Sequence, residues 1–208
     1  MGLENDHIRQ GRDLCGPACA EMLLRACGIT HVTQHDIAHE YQVLKHDWGS
    51  PPDRIESFFK HFFTEVGTKT DMTLSELKDH IDTGCTAITL IQDIFPDSES
   101  THSHLDDRLL CEDDGHYITI IDVNIDNPDD AYILVADPSN AERQYDDQGF
   151  VRTKVDRSDS FEFRPFYKIQ ADVFKKIWYD KFENGHVYHG VIIWFDPNTK
   201  TELALQSS

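Results

Sequence analysis

Cys15 stands directly before Gly16-Pro17, and a proline there suits the first turn of a helix, where its missing N–H is not needed. Behind it, Cys19, Met22, Leu23 and Ala26 recur at the spacing of one buried helical stripe, and Gly28 follows as a C-terminal cap. A thiol at the start of such a helix sits at the positive end of the dipole, which favours thiolate, the nucleophilic form. Cysteine is also among the most buried residue types, so Cys19 and Cys27 read as packing residues. Cys15 precedes the stripe, and its local chemistry allows both readings. As a nucleophile it needs a histidine partner.

Of the 12 histidines, His116 is singled out by position: it opens a β-rich run directly after Asp113-Asp114-Gly115. Asp137 ends the next such run, in Val135-Ala136-Asp137-Pro138. If the two runs pair antiparallel, the start of one lies beside the end of the next, and His116 and Asp137 become neighbours. Taken singly, Asp137 reads as a turn residue before Pro138 and His116 as a capped or solvated histidine. Together with Cys15 they have the composition of a nucleophile, a base and a carboxylate that orients the base. An imidazole beside a thiol lowers its pKa, and the resulting imidazolium can protonate a leaving amine. That chemistry serves peptide hydrolysis, deamidation and transamidation equally.

These side chains need elements to hold them. The periodicity predicts helices over 17–27, from His35 to Leu44, from Asp53 to Phe63, and from a Thr73–Glu76 capping box through Leu77 and Ile81 to Gly84. Phe58, Phe59, Phe62 and Phe63 then form one buried face. Strands follow at Thr86–Gln92, His116–Val123 and Tyr132–Ala136, with a long acidic loop from Phe95 to Asp114 before the second. Ala171–Phe182 reads as a further helix and Tyr188–Phe195 as a fourth strand. Helices first and strands afterwards predict an α+β fold, with N-terminal helices packed on a C-terminal antiparallel sheet.

The length of 208 residues, with 39% hydrophobic and 11% aromatic content, fits a single globular domain over 1–208, with 196–208 as a peripheral tail. A net charge of −19 argues against nucleic acid as a partner and favours a basic segment in any peptide or protein substrate. Five cysteines without framework spacing and without a signal peptide predict a reducing, cytoplasmic setting, and no apolar run is long enough to span a membrane. No cofactor is expected. His102, His104 and Cys111 fit no standard zinc spacing, so no metal is expected either.

Cys15-Gly16-Pro17-Ala18, then Gly115-His116-Tyr117, then Ala136-Asp137-Pro138 resembles the bacteriocin-processing, double-glycine leader peptidases and their stand-alone relatives in the papain-like clan. Trp48-Gly49-Ser50-Pro51 and His189-Gly190-Val191-Ile192-Ile193 look similar to segments of the stand-alone members, so the resemblance covers about residues 8–195. It implies a papain-like fold, with Cys15 as nucleophile, His116 as general base and acid, and Asp137 as the orienting carboxylate. The family also places a glutamine shortly before the cysteine, where its amide donates to the oxyanion. Here Gln10 lies one residue closer to Cys15 than that spacing, and Arg9 stands at the usual offset. The family chemistry is a thiol attack on a peptide or amide carbonyl. The alternatives are a deamidase or acyltransferase on the same fold, or a silent peptide-binding module.

Overall fold

The computed structural model describes residues 7–11, 14–44, 49–92, 115–139, 144–145, 151–152, 166–181 and 187–206. Helix α1 (Cys15–Ala26) is buried from Gly16 through Leu24, more of its circumference than a single stripe would bury. Gly28 follows with φ +83°, the left-handed backbone that ends a helix. Helix α2 (Gln34–His39) begins on a capping box of Thr33 and Asp36 and is shorter than the periodicity suggests, because Gln42 turns the chain at φ +54°. Helix α3 (Pro52–Phe59) also stops early. The backbone tightens there, with His61 N–H donating to Phe58 O and Phe62 N–H to Phe59 O. Phe62 and Phe63 nevertheless stay buried beside Phe58 and Phe59.

Strand β1 (Val66–Lys69) has no counterpart in the sequence reading, since Val-Gly-Thr-Lys is short and weakly apolar. Helix α4 (Leu74–Asp82) carries the expected Thr73–Glu76 capping box. Strands β2 (Thr86–Gln92), β3 (Gly115–Asn124) and β4 (Tyr132–Ala136) fall where expected and pair antiparallel in succession. The acidic loop between β2 and β3 lies outside the described residues. Beyond β4 come a two-residue pair, β5 (Gln144–Tyr145) and β6 (Val151–Arg152), and then β7 (Phe166–Gln170).

Helix α5 (Ala171–Ile177) ends five residues before Phe182 because Trp178 leaves the helix to donate its indole N–H to Thr89 Oγ1 at 2.6 Å. The expected last strand is two: β8 (Tyr179–Lys181) pairs with β9 (Val187–His189), Gly190 breaks the run, and β10 (Ile192–Phe195) enters the main sheet. The main sheet is antiparallel throughout, in the order β1-β10-β2-β3-β4-β7. Residues 196–206, expected as a tail, are tied back: Thr64 N–H donates to Thr199 O at 2.8 Å, and helix α6 (Glu202–Gln206) buries Ala204.

Both faces of the sheet are covered. Ile88, Leu90 and Tyr117 pack with α1, α2 and α3, whereas Ala87, Ile91 and Ile118 pack with α4 and α5. This explains why β2 is buried at every position and reads as a continuous apolar run rather than an alternating one. It also fixes α1 across β3, so that its first residue reaches the end of the sheet where β3 begins and β4 ends. That end holds Cys15, His116 and Asp137.

Candidate active site

Cys15 is the first residue of α1 and partly exposed, while Leu14 and Gly16 on either side are buried. Gly16 packs closely against the segment that leads into α3. A Cβ there would lie 3.0 Å from both Ile55 Cδ1 and Ser50 Cβ. The Ser50 carbonyl in turn accepts the Tyr117 hydroxyl at 2.6 Å, so the segment before α3 is clamped between α1 and β3.

His116 is the second residue of β3 and only 4% exposed. Thr119 pairs with Ala136 in the β3–β4 register, and one further step would set Asp137 opposite Ile118, with His116 as its diagonal neighbour. The contact is realised: His116 Nε2 lies 2.8 Å from Asp137 Oδ1. An ionised carboxylate only accepts, so Nε2 carries the proton and Nδ1 is the nitrogen left for another partner. The Cys15 thiol hydrogen-bonds to the His116 side chain. Burial is the strongest influence on this thiol and opposes its ionisation. The hydrogen bond and charge of His116, with the backbone N–H groups of Tyr117 and Gly16, outweigh it and bring the thiol below its ordinary pKa.

Asp137 is 1% exposed and held from several sides. Ser139 N–H donates to Oδ1 at 2.7 Å, the Tyr167 hydroxyl donates to Oδ2 at 2.7 Å, and His7 Nε2 donates to the backbone carbonyl at 2.8 Å. His7 also meets the Phe166 ring edge-on at 5.9 Å. Neither His7 nor Tyr167 was found from the sequence. Tyr167 sits on β7, whose short Phe-Tyr-Lys-Ile run is the one sequence signal that points to it, and His7 lies in a polar lead-in with no periodicity.

Gln10 lies in the same lead-in. Its N–H donates to Pro138 O at 2.8 Å, so it is strapped to the turn that carries Asp137. Its Oε1 is buried and has no hydrogen-bond partner among the described residues. Gly11 N–H donates to Gln34 Oε1 at 2.7 Å, and Leu14 N–H returns to Gly11 O at 3.3 Å, which brings the chain quickly into α1.

The remaining described cysteines lack this setting. Burial raises Cys19 well above its ordinary value, raises Cys27 to about 11, and raises Cys85 as well. His102, His104 and Cys111 lie outside the described residues, among which no group of three or more His, Cys, Asp or Glu is placed to hold a metal ion. No helix among the described residues is long and apolar enough to cross a membrane.

The model of the Peptidase_C39 like family matches residues 3–158, three quarters of the chain. The chain belongs to this family. The match spans Gln10, Cys15, His116 and Asp137 and ends before Tyr167. A Peptidase_C39 like chain with helices against an antiparallel sheet has the α+β, papain-like fold expected from the sequence. A crystal structure of a candidate C39-like peptidase from Bacillus anthracis is similar, with 13% identity, a TM-score of 0.47, and coverage of 90% of this chain and 92% of that one. No curated protein matches the chain.

Proposed function

We propose that this protein is a papain-like cysteine peptidase in which Cys15 is the nucleophile, His116 the general base and acid, Asp137 the orienting carboxylate and Gln10 an oxyanion donor. The observation that carries the reading is the 2.8 Å bond from His116 Nε2 to Asp137 Oδ1, because it commits that nitrogen and turns Nδ1 over to the thiol. The Cys15 proton passes to Nδ1, and the thiolate attacks the carbonyl carbon of a peptide bond. The tetrahedral oxyanion is met by the Gln10 amide. His116 then protonates the leaving amine, the C–N bond breaks, and a thioester remains on Cys15. Water, losing its proton to His116, attacks that thioester. The acid product departs and the thiolate–imidazolium pair is restored.

The family match supports a peptidase, and the −19 charge supports a substrate with a basic segment. A peptide library incubated with the protein at low salt is expected to yield new amino termini, more from basic than from acidic peptides. Cys15→Ala is expected to abolish them, and Gln10→Ala to slow them by about 10²–10³-fold, the usual cost of one oxyanion donor. Activity retained by Cys15→Ala would sink the assignment. Ammonia released without a new amino terminus would reassign the same site to deamidation.

A further inference from the structure

We propose that Tyr167 is a positioning residue of this site, its hydroxyl fixing the carboxylate of Asp137 and, through it, the imidazole of His116. The inference rests on the reading of Cys15, His116 and Asp137 given above, and Tyr167 lies outside the span matched to the family. In the β4–β7 register Tyr167 stands opposite Val135, two residues from Asp137, which makes it a diagonal neighbour of that carboxylate. Its hydroxyl donates to Oδ2 at 2.7 Å, while Oδ1 is met by His116 Nε2 at 2.8 Å and Ser139 N–H at 2.7 Å. A carboxylate held at both oxygens cannot rotate away from the imidazole. Because Asp137 is 1% exposed, water is a poor substitute for a lost donor.

The groups facing Asp137 come from four elements. His116 approaches from β3 and Tyr167 from β7. His7 reaches the backbone carbonyl from the lead-in, and Cys15 and Cys19 lie on α1. Donation from Tyr167 favours the charged carboxylate. Without it, the Asp137–His116 pair holds its shared proton more tightly, and the imidazolium of His116 persists to higher pH.

The test is a histidine NMR titration in the full chain carrying Cys15→Ala, which removes the thiol's own titration. Adding Tyr167→Phe is expected to move the His116 midpoint upward by on the order of half a pH unit, while a thermal melt confirms that the protein is folded. Site-specific 3-fluorotyrosine at 167, a more acidic phenol and a stronger donor, is expected to move it downward, and it decides the matter should the Phe variant not fold. A midpoint unchanged or lowered by Tyr167→Phe, or not lowered by 3-fluorotyrosine, overturns the proposal. These readouts need no turnover. Failure of the catalytic reading would appear separately, as alkylation of Cys15 indifferent to His116→Ala.

Discussion

At Cys15 burial pushes the thiol toward its neutral form, and His116 with two backbone N–H groups pushes harder the other way. At Cys19 and Cys27 burial wins. Brief treatment of the native protein with iodoacetamide at pH 7 is therefore expected to label Cys15 ahead of Cys19, Cys27 and Cys85, as read by peptide mapping; equal labelling of the four would contradict the contrast. Gly16→Ala pushes a methyl against Ile55 and Ser50, and Ser50 is bonded to Tyr117, the neighbour of His116. Overpacking of this kind costs about 1–3 kcal/mol. A lowered denaturant midpoint together with slower Cys15 alkylation is expected, and an unchanged rate would show that the clamp does not reach the thiol. Cys15, His116 and Asp137 were legible because each sits where an element begins or ends, beside Gly or Pro. Tyr167 was not, since a tyrosine on a short edge strand gives no sign of the carboxylate across from it.

Among the elements, those whose ends are fixed by local chemistry were read well, and those ended by tertiary contacts were not. The Thr73–Glu76 box opens α4 as expected, and Thr73→Ala is expected to cost about 1 kcal/mol in urea unfolding. A loss under a few tenths would mean that packing, not the cap, sets that end. By contrast, α5 stops at Ile177 because Trp178 turns inward to Thr89, on a strand more than eighty residues earlier in the chain. The apolar run through Val191 and Trp194 reads as one strand, but Gly190 at φ +52° divides it between two sheets. A Cβ at Gly190 would stand 2.7 Å from Met72 O, backbone that cannot move aside cheaply. Gly190→Ala is accordingly expected to destabilise by about 1–3 kcal/mol or more, seen as a lower melting temperature; a neutral result would show that the break does not depend on glycine.

In the whole molecule, helices cover both faces of one antiparallel sheet, and the candidate site lies where the N-terminus of α1 meets the open end of β3 and β4. The α+β class was legible from the order of the elements. The strand order was not, because β10 comes from the far end of the chain to lie between β1 and β2. The packing of α1 across β3 brings residue 15 to residue 116, so any activation of the thiol is expected to depend on the folded chain. The pH dependence of Cys15 alkylation, compared between the native protein and His116→Ala, tests this most directly. The native rate is expected to stay high well below the ordinary thiol pKa of about 8.5. In His116→Ala, with burial no longer opposed by the imidazole, the rate is predicted to fall steeply over the same range. Superimposable profiles for the two proteins would contradict it.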